Sequence, residues 1–178
     1  ASIKRATGVA PTGYNGAAMR GTINTLKILQ DEGFNYHIDD VSRDEPFVIP
    51  VRDKDFAVVP YSMTLNDIIQ FEGYKFTTTE YERQLKDEFD QLYEEAGHRR
   101  RMMSISTHDR VQGRPYRVKS LDRFLAYALK HKGVVVMRKD EIADFALSEP
   151  TIIRDSNPHD EWATWERENG DQKIEPIV

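Results

Sequence analysis

Apolar residues recur along this chain with two different periods, and the alternation between them predicts most of its elements. From Thr22 to Glu32 the residues Ile23, Leu26, Ile28 and Leu29 follow a broadly helical spacing, and Gly33 stands where a helix-ending glycine belongs. Phe34 to Ile38 reads as a short strand. Phe47 to Val51 and Phe56 to Tyr61 are β-rich runs separated by Arg52-Asp-Lys-Asp55, which predicts a hairpin. Thr77-Thr-Thr79 offers N-caps for a long amphipathic helix, with Tyr81, Leu85, Phe89, Leu92 and Tyr93 along one face. Met102 to Thr107 reads as a buried strand ending at His108, Leu121 to Leu129 as a helix stopped by Gly133, Val134 to Met137 as a strand, and Asp140 to Leu147 as a closing helix.

Strands and helices that take turns in this way predict an α/β architecture with at least some parallel strands. Between them lie loops: "TGVAPTGYNG" at 7–16, the acidic "IDDVSRDEP" and Thr64-Leu-Asn-Asp67. Beyond Pro150 the periodicity dissolves, and Trp162 and Trp165 are too apolar to leave in solvent. This predicts an extended arm over 149–178, packed on its own domain or on a neighbouring subunit, after a domain over 1–148.

Composition narrows the chemistry. The 178 residues suit one compact domain. The net charge of −5 gives no field that would draw phosphate backbones or acidic membranes, so neither nucleic acid nor membrane is expected as a partner. The basic run His98-Arg-Arg-Arg101 follows a helix, where cations meet the negative end of the dipole. No cysteine is present, which leaves oxygen and nitrogen chemistry. No apolar run approaches the roughly 20 residues of a membrane span, and Ala1-Ser-Ile-Lys-Arg5 lacks a signal-peptide core, so a cytoplasmic location is expected. The start at Ala1 without methionine, running at once into Thr7-Gly-Val-Ala-Pro-Thr-Gly13, suggests a beginning inside something longer.

Among five histidines, His108 alone sits just beyond the carboxyl end of a predicted strand, where α/β folds present ligand-binding side chains. An imidazole there can serve as general acid or base once a carboxylate fixes its tautomer. Asp39 and Asp40, also just past a predicted strand, are the candidate partners. No His-x3-His, His-Glu-x2-His or clustered-carboxylate spacing marks a metal site, so no metal ligand is assigned within this chain.

The stretch "RMMSISTHDRVQGRPYRVKSLDRFLAYALKHKGVVVMRKDEIADF" resembles the last segment of the polysaccharide deacetylase (NodB-like) family, and most nearly its branch of allantoinases and cyclic imide hydrolases. His108, Arg110, Gly113, Arg114 and Pro115 match that branch's histidine, arginine and Gly-Arg-Pro. "ATGVAPTGYNGAAMRGTINTLKILQDEGFNYHIDD" and "VVPYSMTLND" resemble its upstream loop, helix and strand and its Pro-Tyr…Asn-Asp segment. The resemblance implies the C-terminal half of a distorted (β/α) barrel, with an extended C-terminal arm. It implies hydrolysis of C–N bonds in linear or cyclic amides and imides, with His108 as general acid and Asp39 orienting it. Arg110, Arg114, Tyr14, Arg20 and Asn66 become candidate substrate-binding residues. The family's base aspartate and its metal-binding Asp and His-x3-His precede the Thr-Gly-x-x-Pro loop and have no counterpart in this sequence; Ala10 stands where that loop carries arginine. The resemblance therefore implies a second polypeptide that carries the N-terminal barrel half and any divalent metal, in an oligomer. The alternative is a noncatalytic binding or scaffold relative.

Overall fold

The computed structural model describes residues 2–157. In chain order its elements are α1 (Ser2–Thr7), β1 (Gly13–Tyr14), α2 (Thr25–Asp31), β2 (Tyr36–His37), β3 (Phe47–Val51), β4 (Lys54–Val58), α3 (Thr78–Glu95), α4 (Asp109–Gln112), α5 (Pro115–Ala128), α6 (Lys139–Ser148) and β5 (Ile153–Arg154). They fall into two compact units interleaved along the chain. The first draws on residues up to Asp39, on Phe47–Val59 and on the chain from Lys139; the second on Asp40–Pro46 and Pro60–Arg138.

The first unit is a mixed five-stranded sheet in the order β1-β2-β4-β3-β5. The β3–β4 hairpin is antiparallel and the other three pairings are parallel. Arg52, at φ 54°, turns the hairpin. Leu26 and Leu29 of α2 pack on Phe47, Ile49, Val51, Phe56 and Val58, so the stripe on the helix meets the alternating face of the hairpin. Gly33, at φ 87°, closes α2, and the Phe34 N–H returns to the Leu29 carbonyl at 2.9 Å. Ala143 and Ala146 are fully buried on α6, small enough to let it lie close against β3 and β4. Of the expected arm, residues 149–157 are described: Ile153 pairs with Phe47, and the Asn157 amide donates to the Pro50 carbonyl at 3.0 Å. The remainder, with His159, Trp162 and Trp165, lies outside the described residues.

The second unit is mainly helical. Thr77 and Glu80 form a capping box at the start of α3. Tyr81, Leu85, Phe89 and Leu92 then present one buried stripe toward Phe124 and Ala128 of α5. Phe89 meets Phe124 edge-on at 6.1 Å, and the Arg123 guanidinium reaches Glu82 at 2.5 Å from one helix to the other. The basic run is spent on internal ion pairs: Arg99 binds the buried Glu45, and Arg101 binds Glu95 at the end of α3.

Two expected strands do not form. Over 102–107 the chain makes a single parallel bridge, Ser106 to Asn66, and residues 134–138 carry no regular structure. A strand exists only through its ladder, and Val135 and Val136 stand 71% and 73% exposed instead of paired. No helix of the described residues is long and apolar enough to cross a membrane.

Candidate active site

The short pairing around Ser106 aligns the two segments that matter. The Ser106 N–H donates to the Leu65 carbonyl at 3.2 Å, and the Asp67 N–H donates to the Ser106 carbonyl at 3.0 Å. Asp67 is thereby carried alongside His108, two residues past the bridge, and both belong to the second unit. His108 is extended, at φ −113° and ψ 134°, and α4 begins directly after it. A Cβ on Gly113, just past that turn, would run into the Asp109 carbonyl oxygen.

Asp67 is fully buried, and its carboxylate is satisfied on both oxygens. Oδ1 lies 2.6 Å from His108 Nδ1, while Oδ2 accepts from the backbone N–H of His108 at 2.7 Å and of Gln112 at 3.1 Å. Three hydrogen bonds offset the cost of burying this carboxylate. An ionised carboxylate can only accept, so Nδ1 carries hydrogen and Nε2 remains as the atom that gains or gives up a proton. The His108 side chain is 34% exposed, which keeps the imidazole within reach of a reactant. Nearby, burial pushes the Tyr81 phenol up, and the charge of Asp67 adds to the effect.

The carboxylate on the imidazole is therefore Asp67, in place of the Asp39 expected from its strand-end position. Asp39 accepts from Asn15 Nδ2 at 2.5 Å and from the Gly16 N–H at 2.7 Å within the first unit. Asp40 caps a local turn by accepting from Ser42. Tyr14 and Arg20 also lie in the first unit, Tyr14 packed edge-on against Phe34 at 6.3 Å and Arg20 exposed at the end of the Ala17–Met19 turn. Asn66, Arg110 and Arg114 share the second unit with His108. Arg110 and Arg114 are exposed, and Arg114 Nε donates to the Arg110 carbonyl at 3.2 Å, so one holds the loop of the other. Asn66 donates to the Tyr61 hydroxyl at 2.6 Å.

No family model matches the chain. It is 34% identical to the crystal structure of PuuE allantoinase, with a TM-score of 0.73 over 83% of this chain and 50% of that one. It is 33% identical to a crystal structure from Pseudomonas aeruginosa PAO1 named for polysaccharide deacetylase, with a TM-score of 0.69 over 96% of this chain and 51% of that one. A Schizosaccharomyces pombe (strain 972 / ATCC 24843) protein, also named for polysaccharide deacetylase, is 32% identical over 93 residues, which are 51% of this chain and 29% of that protein. The chain is a relative of the polysaccharide deacetylases. It has their α/β fold and spans about half the length of the solved structures it matches.

For a polysaccharide deacetylase relative, the sequence resemblance implies a divalent metal. Among the described residues no group of three or more His, Asp or Glu side chains could hold one. The donor set of the described residues does not fit that metal. Asp67 is the residue at His108 that the sequence pattern does not single out. Its signal lies in the Pro-Tyr…Asn-Asp segment, whose last four residues the sequence pattern reads as a loop.

Proposed function

We propose that this chain supplies the general acid of a hydrolase that cleaves a C–N bond in a linear or cyclic amide or imide. Water adds to the carbonyl carbon, the C–N bond breaks, and the proton on His108 Nε2 passes to the departing nitrogen. Asp67 holds the ring on its other edge and stabilises the imidazolium before transfer. The observation that carries this reading is the 2.6 Å contact between Asp67 and His108 Nδ1, made by a fully buried carboxylate whose second oxygen is fixed by two backbone N–H groups. Arg110 and Arg114 stand after His108 as candidate partners for substrate oxygens.

A second polypeptide with the remaining barrel strands completes the site in this reading and brings the base. Two facts support it: the solved relatives are about twice as long as their match to this chain, and Val135 and Val136 are exposed in a run whose pattern is that of a strand. Such an unpaired apolar run is what a neighbouring strand covers.

The test is His108→Ala in the complete protein, assayed on allantoin, on succinimide and on N-acetylglucosamine oligomers. Turnover is expected to fall by about 10²–10⁴-fold with the circular dichroism spectrum unchanged. Unchanged turnover would reject His108 as the acid, and a protein that binds these compounds without hydrolysing them would fit the noncatalytic alternative.

A further inference from the structure

A carboxylate offers roughly four lone-pair sites, and Asp67 fills three of them, two on Oδ2 with the backbone N–H groups of His108 and Gln112 and one on Oδ1 with His108 Nδ1. One site on Oδ1 remains, on a fully buried residue. The residues that wrap it leave polar atoms over as well. Gln112, whose N–H is on Asp67, turns its side-chain Nε2 to the Arg117 carbonyl at 2.8 Å, and Gln70 turns its Nε2 to the Thr64 carbonyl at 2.5 Å. A carbonyl only accepts, so each amide is fixed with its nitrogen toward the chain and its Oε1 left as an acceptor. Both oxygens and the Tyr81 hydroxyl are buried, and none of the three meets a hydrogen-bond partner among the described residues.

These side chains lie in one place within the second unit. The Tyr81 ring is 4.8 Å from that of Phe71, the Arg117 guanidinium stands 4.2 Å over Phe71, and the Arg117 carbonyl is the one that holds Gln112. Burial and then the charge of Asp67 push the Tyr81 phenol up, so Tyr81 senses the carboxylate with no direct hydrogen bond to it. Polar groups that face each other across more than a hydrogen bond, out of contact with solvent, are what an ordered water serves.

We propose that buried water joins the Tyr81 hydroxyl to the open site on Asp67 Oδ1, which makes Tyr81 a positioning residue for the Asp67–His108 pair. The phenol hydrogen goes to the water oxygen, and the water gives its own hydrogens to Asp67 and to a glutamine Oε1. A donor on Oδ1 draws charge from the carboxylate, so Asp67 pulls less strongly on the Nδ1 hydrogen than it would alone. The imidazolium is then readier to pass its Nε2 proton to a leaving group, a use of Tyr81 that rests on the reading of His108 as the acid.

The test follows the His108 Nδ1–H proton by magnetic resonance in the complete protein with isotope-labelled histidine. Tyr81→Phe keeps the ring in the core and removes only the hydroxyl. The Nδ1–H resonance is expected to move downfield, as Asp67 recovers the charge that the water drew. Phe124→Leu loosens the same apolar cluster without touching a polar atom, and is expected to lower the melting temperature with the resonance in place. A resonance that stays or moves upfield in Tyr81→Phe, or that moves as far in Phe124→Leu, overturns the inference. So does a crystal structure of the complete protein in which the Tyr81 hydroxyl bonds Asp67 directly or a metal cation lies between them. The resonance reads the contact at Asp67 and not turnover, so its failure leaves the acid to the His108→Ala assay, and retained turnover in that assay removes the acid with the Tyr81 shift intact.

Discussion

Asp39 in the sheet unit and Asp67 in the helical unit use their oxygens in parallel ways, and the likeness ends at what they hold. Each gives one oxygen to backbone N–H groups, Gly16 for Asp39 and His108 with Gln112 for Asp67. Each gives the other oxygen to a side chain, Asn15 for Asp39 and His108 for Asp67. The amide of Asn15 exchanges no proton in the physiological range, so Asp39 clamps a loop. An imidazole is a side chain built to carry a proton on either nitrogen, so Asp67 fixes the tautomer of a ring that can do acid–base work. A carboxylate anchored by backbone N–H groups takes its role from the chemistry of its partner.

The sharpest way to break this comparison is to blunt both carboxylates. Asp67→Asn is expected to lower turnover by about 10²–10⁴-fold, and to shift the ring-nitrogen resonances of His108 as the tautomer is released. Asp39→Asn is expected to leave those resonances in place. A shift of equal size in both variants would erase the distinction.

A smaller effect tests the clamp itself. A Cβ on Gly16 would come within 2.7 Å of Asp39 Oδ2 and 3.0 Å of the Arg20 carbonyl. Gly16→Ala should therefore destabilise the protein by about 1–3 kcal/mol, read as a lower melting temperature. An unchanged melting temperature would mean that the loop has room to move off Asp39.

The smallest effect concerns acid. Hydrogen bonds from the Thr77 backbone and then its hydroxyl hold the Glu80 carboxyl below its ordinary value of 4.5, and the Arg123 hydrogen bond does the same for Glu82. A carboxyl depressed in the folded state adds stability above its ordinary value and loses it as pH falls through the lower, folded one. The helicity of α3 should accordingly weaken as pH drops below about 4.5, and Glu80→Gln should flatten that dependence in circular dichroism. A variant as acid-sensitive as the wild type would remove Glu80 from this account.

Elements that bury a face of their own were legible before any coordinates. The stripe Tyr81, Leu85, Phe89 and Leu92 and the N-cap candidates Thr77 to Thr79 are local patterns, and α3 forms where they predict it. The hairpin and α2 follow the same logic. The runs at 102–107 and 134–137 have strand composition, but composition says nothing about whether a neighbour is there to pair with. His108 was visible because position and residue type coincide. Its partner was not, because Asp67 lies 41 residues away and meets it through the bridge at Ser106, a long-range register that no periodicity encodes.

The pairing of Phe47 with Ile153 has a consequence for how the molecule is made. A ribosome delivers the chain from its amino end, so β3 waits while about a hundred residues follow before its outer neighbour emerges. The whole of α3 and α5 is synthesised in that interval and can pack together before it ends. Until then the nascent sheet has an open edge at β3, and the helical unit is born first although the sheet begins first.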